Sequence, residues 1–158
     1  MKKSFTIIEA LVAITIFSLG IIYIAVSIWQ SYSMASQATE RFIAAYLAQE
    51  GLEIVKNLRS ENYLNERAWN NNLGAGDYEV DYNDDSLFIY QDRYLMIDSA
   101  GFYNYESGNP TIFKRKISIS YPAQDQMKVT VTVFWPKKGL HQEVEQFSVT
   151  EILYNWNQ

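Results

Sequence analysis

The sequence predicts an α+β protein in which one long N-terminal helix packs on a small antiparallel β-sheet. Three observations predict this fold class. Residues 5–29 form an almost unbroken apolar run, and residues 41–60 repeat apolar side chains with a helical period of 3.6. From residue 78 onward the pattern changes to the alternation that is typical of strands. No proline interrupts residues 5–60, so a nearly continuous helix of about 80 Å is expected.

The apolar run from Phe5 to Trp29 reads FTIIEALVAITIFSLGIIYIAVSIW. About 20 apolar residues cross a hydrocarbon core of about 30 Å, so this run is long enough to span a membrane. Lys2 and Lys3 precede the run, which indicates a cytoplasmic N-terminus. A cleaved secretory signal peptide would have a shorter apolar core of about 7–15 residues. The run therefore favours a single-pass membrane helix.

Glu9 is the only side chain within this apolar run that is ionised at neutral pH. A charged side chain well inside a membrane span costs on the order of 3 kcal/mol on insertion scales. An anchor needs no such residue, so we interpret Glu9 as functional.

The helical pattern continues beyond the apolar run as an amphipathic helix. Its polar face carries Gln49, Glu53, Lys56 and Arg59, and its opposite face is apolar. This apolar face is expected to cover a core. It consists of Ile43, Ala44, Leu47, Ala48, Gly51, Ile54, Val55 and Leu58.

The remainder of the chain predicts a β domain that begins after an Asn- and Gly-rich loop at residues 70–76. The last three predicted strands form an antiparallel meander, in which Val129, Val131 and Val133 share one face with Ile117, Ile119 and Tyr121. The predicted strands are Tyr78–Tyr82, Leu87–Tyr90, Tyr94–Ile97, Thr111–Tyr121, Met127–Trp135 and Glu143–Leu153, with turns between them that include Gly108-Asn109-Pro110.

Composition and charge exclude several classes of function. The 158 residues carry a formal net charge of -5, and the only basic cluster is Lys114-Arg115-Lys116. That cluster lies in the alternating stretch TIFKRKISISY and is expected to form a solvent-exposed strand face. No nucleic-acid partner is therefore predicted. The chain has no cysteine, which excludes disulfides and thiolate metal sites.

No constellation of residues points to catalysis. The single histidine, His141, follows a turn, and no nucleophile-elbow, phosphate-loop or zinc-protease motif occurs. We therefore predict that the chain is not an enzyme and has no cofactor.

One acidic segment offers an alternative as a calcium loop. Asp81, Asn83 and Asp85 have the spacing of the first three ligands of such a loop. Ser86 stands where the loop needs glycine, however, and Asp92 stands where it needs glutamate. We therefore interpret the segment as a polar turn between strands and predict no metal.

The N-terminus resembles that of type IV pilins and of type II secretion pseudopilins. The resemblance rests on the basic pair Lys2-Lys3, the small residue Ser4, and the sequence FTIIEALVAI from Phe5 to Ile14. It covers about the first 25 residues. The family prefers glycine at the position of Ser4. The resemblance implies that a prepilin peptidase cuts between Ser4 and Phe5 and that the new N-terminal residue Phe5 is N-methylated.

The same resemblance implies a filament subunit that is held in the cytoplasmic membrane before it is assembled outside the cytoplasm. Glu9 would then act in subunit assembly, and the expected partners are other pilin-like subunits, the peptidase/methyltransferase and the membrane. A minor subunit is favoured, and a pseudopilin of a secretion or DNA-uptake machine is the alternative within the family. A membrane-anchored binding domain that never polymerises is the alternative outside it. The expected organisation is a leader at residues 1–4, a transmembrane half-helix at 5–30, an amphipathic half at 31–60 and a β domain at 61–158.

Overall fold

A computed structural model describes residues 6–137 and 143–155. The fold is α+β, as predicted. One long helix, α1, runs from Ile7 to Leu64 without interruption. In the described residues it is followed by β1 Gly76–Glu79, β2 Phe88–Ile89, β3 Met96–Ile97, β4 Tyr103–Asn104, β5 Asn109–Pro110, β6 Lys114–Ala123, β7 Gln126–Pro136 and β8 Val144–Tyr154.

The strands form two antiparallel sheets. The larger sheet has the order β2-β1-β6-β7-β8, and the smaller one has the order β4-β3-β5. Strands β6, β7 and β8 form the predicted meander, with Ile117 opposite Val131 and Ile119 opposite Val129. These four side chains are buried on one face, which confirms the predicted shared face. Tyr121, near the end of β6, is only partly buried.

The chain divides into two compact units, residues 1–40 and residues 41–158, and the boundary falls inside α1. In the second unit, the apolar face of the helix covers the sheet as predicted. Ala44, Leu47, Ala48 and Val55 are fully buried or nearly so, and Leu52 joins them.

Gly51 is a point of close approach between helix and sheet. A Cβ atom at this position would lie 3.0 Å from Val131 Cγ1 and 3.1 Å from Arg115 Cδ. Contacts this short are unfavourable for a real Cβ, so a side chain at Gly51 would require its neighbours on the sheet to shift.

The end of the helix and the short strands differ from the sequence-based prediction. The helix continues one turn beyond residue 60 to Leu64, where Asn62 Nδ2 donates to the carbonyl oxygens of Trp69 at 3.4 Å and Asn71 at 2.8 Å. The sequence also did not predict β4, and β5 lies within the predicted turn Gly108-Asn109-Pro110. Strands of two residues are too short to show an alternating pattern.

Candidate functional site

Glu9 lies in the first turn of α1. The helix is capped by Thr6, whose Oγ1 and carbonyl oxygen accept hydrogen bonds from the Glu9 backbone N–H at 3.3 and 3.1 Å. This is half of a capping box, the Thr-x-x-Glu arrangement that satisfies free backbone groups at a helix start. Within the described residues, the Glu9 carboxylate itself has no hydrogen-bond or ion-pair partner.

Apolar side chains surround Glu9 on every side of the helix. Ile7, Ile8, Leu11 and Val12 are exposed, and the exposed apolar surface continues around the helix as far as Tyr32 and Met34. A helix that is apolar all round lies in a membrane or among other helices. Part of α1 is accordingly long and apolar enough to cross a membrane, by its length and composition.

Two hydroxyl side chains on the apolar part of the helix make local bonds. Thr15 Oγ1 donates to the Leu11 carbonyl oxygen at 2.8 Å, and Ser31 Oγ donates to the Ser27 carbonyl oxygen at 2.9 Å. Hydroxyl groups that bond back to the helix in this way are tolerated in an apolar environment. The carboxylate of Glu9 therefore differs from these hydroxyl groups, because it can carry a charge and, in the described residues, makes no bond back to the helix. Lys2, Lys3, Ser4 and Phe5 lie outside the described residues, so cleavage, methylation and orientation stay predictions.

The second unit contains a buried cation that the sequence analysis assigned wrongly. Lys114-Arg115-Lys116 was expected to face solvent, but Arg115 is completely buried. The residue pairs with Val133 across β6 and β7 and shares the inner face with Ile117 and Ile119. Its alternation with those two apolar residues is the signal that could have placed it inward. Lys114 and Lys116 point to the other face and are partly exposed.

Arg115 joins the helix to the sheet and to the segment after β1. Its Nη1 donates to the Leu47 carbonyl oxygen at 3.1 Å and lies 3.4 Å from Glu50 Oε1, and its Nη2 donates to the Val80 carbonyl oxygen at 2.5 Å. The Arg115 carbonyl oxygen accepts from Tyr105 Oη at 3.2 Å, and burial raises the pKa of Tyr105 to about 12. We interpret this cluster as structural, since its hydrogen bonds are made to the chain itself.

The acidic segment folds as a turn. Asp81 Oδ1 accepts from the Asn83 N–H at 3.3 Å, and Oδ2 accepts from the Tyr105 N–H at 3.2 Å. Asp84 Oδ2 accepts in turn from the Asp81 N–H at 2.8 Å. Burial raises the pKa of Asp84, and the nearby Asp81 carboxylate adds to this effect. In residues 6–137 and 143–155, no group of three or more acidic or histidine side chains is placed to hold a metal ion.

A groove of about 310 Å³ lies at one end of the larger sheet, and no sequence motif predicted it. Lys114 Nζ donates to Asp92 Oδ2 at 2.6 Å, Tyr90 Oη donates to Asp92 Oδ1 at 2.7 Å, and the ammonium group lies 4.6 Å from the centre of the Tyr94 ring. The hydrogen bond from Lys114 lowers the pKa of Asp92. These residues come from separate segments of the chain, so no local sequence pattern predicts that they lie close together. His141 lies outside the described residues.

Comparison with known proteins gave no match: no protein-family model, no curated protein and no solved structure resembles this chain significantly.

Proposed function

We propose that this chain is a structural subunit of a type IV pilus-like filament, and within that class a minor subunit. In this proposal the chain is inserted in the cytoplasmic membrane with its N-terminus in the cytoplasm. Cleavage before Phe5 releases it for assembly through the apolar part of α1. The β domain is then displayed on the outside or in the periplasm.

The observation that carries the proposal is the carboxylate of Glu9 on a helix surface that is otherwise apolar. Cleavage at Phe5 would create a cationic α-amine in the same apolar environment, where an unpaired charge is costly. The Glu9 carboxylate of a neighbouring subunit can neutralise that amine. Such a pairing would fix the axial position of each new subunit in the filament.

Two simpler roles for Glu9 compete with this one. Phe5 and Glu9 are spaced i, i+4, so the amine could pair with the carboxylate of its own helix. Glu9 could also serve only the capping box with Thr6. A pseudopilin would use Glu9 in the same way as a pilus subunit, whereas a membrane-anchored binding domain that does not polymerise would not need the charge.

The substitution Glu9→Gln separates these roles, because glutamine keeps the shape and can still serve a capping box. We expect normal membrane insertion and cleavage but strongly reduced incorporation into filaments, measured by immunoblotting of sheared filaments against the membrane fraction. Glu61→Gln is the matched control, since it is the same change at an exposed position of the same helix. Wild-type incorporation of the Glu9→Gln chain would refute intersubunit pairing.

Processing is tested independently by the intact mass of the chain extracted from membranes. The mass is expected to lack the first four residues and to include one additional methyl group on Phe5. A mature chain that begins near Ala35 would show an ordinary signal peptide instead. A chain that keeps all its residues would favour the plain membrane anchor.

A further inference from the structure

The outer edge of β8 is a long, open strand edge. Strand β8 covers eleven residues, Val144–Tyr154, and is the last strand of the larger sheet. Its register with β7 continues without a shift from Pro136–Val144 to Gln126–Tyr154. The opposite edge is β2, which has only two residues. Proteins normally protect a long edge by a bulge, a proline, a lysine or a covering segment, because its free backbone groups pair readily with another strand.

The backbone groups that face this open edge follow from two hydrogen bonds at the ends of the hairpin. The Lys137 N–H donates to the Glu143 carbonyl oxygen at 2.8 Å, and the Asn155 N–H donates to the Asp125 carbonyl oxygen at 3.0 Å. In an antiparallel ladder, hydrogen-bonded and non-hydrogen-bonded pairs alternate. The odd-numbered residues of β8 therefore bond to β7. The N–H and C=O groups of the even-numbered residues point outward, at Val144, Gln146, Ser148, Thr150, Ile152 and Tyr154.

In the described residues this edge has no bulge, proline, lysine or further strand, and its two carboxylates, Glu145 and Glu151, are partly buried on the inner face of the sheet. All six outward-facing residues have exposed side chains, and they include the apolar residues Val144, Ile152 and Tyr154 at 68%, 40% and 48% exposure. Strand β8 contains neither proline nor lysine. The charge of Glu151 is compensated by Lys56 Nζ, which lies 3.1 Å from its Oε2.

We propose that this edge is a self-association surface, on which β8 of a second copy of this chain adds antiparallel and extends the sheet. The register centred on Val149 uses every outward-facing backbone group, pairing Val144 with Tyr154, Gln146 with Ile152 and Ser148 with Thr150 of the second copy. In this register Glu145 lies opposite Leu153, and Glu151 lies opposite Phe147, so no carboxylate faces another.

Other arrangements of two copies fit less well. A shift of two residues loses backbone pairs, and in one direction it places Glu145 opposite Glu151. A symmetric parallel pair is excluded, because parallel pairing sets an even-numbered residue opposite an odd-numbered one. Addition of β8 to the opposite edge of another copy would be limited by the two residues of β2.

The contact is distinct from the packing that would hold subunits side by side in a filament. A two-fold axis normal to the sheet at Val149 reverses the direction of residues 41–64 between the two copies. The inference therefore does not rest on the proposed filament function, and its test needs no filaments.

The test is cysteine cross-linking of the full-length chain in detergent. The chain has no native cysteine, so any disulfide forms only between the introduced residues. Val149 lies on the two-fold axis in a non-hydrogen-bonded pair, where the two Cα atoms are about 4.5 Å apart, within the range of a disulfide. We expect Val149→Cys to form a disulfide dimer about tenfold faster than Ile89→Cys, an exposed position on the opposite edge. Thr150→Cys is expected to cross-link more slowly than Val149→Cys, because Thr150 faces Ser148.

Thr150→Pro in the Val149→Cys background identifies the edge as the contact. The Thr150 N–H points outward, so proline is tolerated within the sheet but blocks strand addition. Cross-linking is expected to fall to the level of Ile89→Cys while thermal unfolding stays cooperative, at a somewhat lower temperature because the hydrogen bond between Thr150 Oγ1 and Thr130 Oγ1 at 3.0 Å is lost. If this variant unfolds, Ser148→Lys with Thr150→Lys replaces it, since it sets like charges opposite each other across the axis.

Two results would overturn the proposal. One is equal cross-linking rates for Val149→Cys and Ile89→Cys, which would show association through the apolar helix alone. The other is cross-linking at Val149→Cys that persists in the folded lysine or proline variants.

Discussion

Replacing Arg115 tests whether one buried cation holds the helix on the sheet. Arg115→Ala removes the donors to the Leu47 and Val80 carbonyl oxygens and leaves Glu50 without its partner. Hydrogen bonds from a charged donor contribute about 1.5–3 kcal/mol each, and truncating one member of a buried ion pair costs about 3–5 kcal/mol. The Glu50 Oε1 atom that faces Arg115 is buried, but the side chain as a whole is 34% exposed, so the carboxylate can turn toward water when Arg115 is removed. We therefore expect a loss of about 3–5 kcal/mol, mostly from the Val80 carbonyl oxygen and the vacated volume.

The assay is equilibrium unfolding in urea of a fragment that begins at Ser31, followed by tryptophan fluorescence, because Trp69 and Trp135 are buried in the domain. Glu50→Gln is the matched control and is expected to cost less than Arg115→Ala, since its 3.4 Å contact with Arg115 Nη1 is long and glutamine keeps the volume and an oxygen that can face the guanidinium group. Arg115→Met is expected to fall between the two, because it fills the volume without donating hydrogen bonds. A loss below about 1 kcal/mol for Arg115→Ala, or equal losses for Arg115→Ala and Glu50→Gln, would refute this reasoning.

Two further predictions concern the same domain. Gly51→Ala is expected to lower the free energy of unfolding, because overpacking against the buried Val131 at 3.0 Å costs about 1–3 kcal/mol and exceeds the helix-propensity gain of about 1 kcal/mol. Gly74→Ala, where the nearest atom is 3.5 Å from the new Cβ, is expected to change little in the same urea titration, and the reverse order would contradict the close approach. The pKa of Asp92 is lowered by Lys114, so this pair stabilises the folded domain above the unfolded pKa of about 3.9, and its contribution is lost as pH falls through the lower folded value. Asp92 is 65% exposed, so Asp92→Asn should lower the free energy of unfolding by at most about 0.5 kcal/mol at pH 7. At a pH well below both the folded and the unfolded pKa of Asp92, the substitution should have no effect. Urea unfolding midpoints of both chains at pH 7 and at the low pH would check this.

Much of the architecture was predictable because it depends on local periodicity. The helix, the strands β6 to β8 and the inward-facing apolar residues of β6 and β7 follow from repeats of 3.6 or 2 over ten or more residues, whereas the inward-facing Arg115 was placed wrongly. The two-residue strands β2 and β3 lie within longer alternating stretches that were predicted as strands, whereas β4 and β5 have no such stretch around them and were not predicted. Their pairing depends instead on β3, which lies between them in the smaller sheet.

The sequence by itself determined that a long apolar helix with one carboxylate, Glu9, precedes an antiparallel β domain. These features depend on residue types and spacings along one segment. Only the tertiary structure decided that Arg115 is buried, that Gly51 lies in close contact with the sheet, and that β8 is the last strand of the larger sheet. The physical reason is that burial and pairing depend on which distant segments meet. Strand alternation shows that Arg115 lies on the same face of β6 as Ile117. Only the helix packed on that face supplies the Leu47 carbonyl oxygen, which accepts a hydrogen bond from the guanidinium group and so lowers the cost of burying its charge.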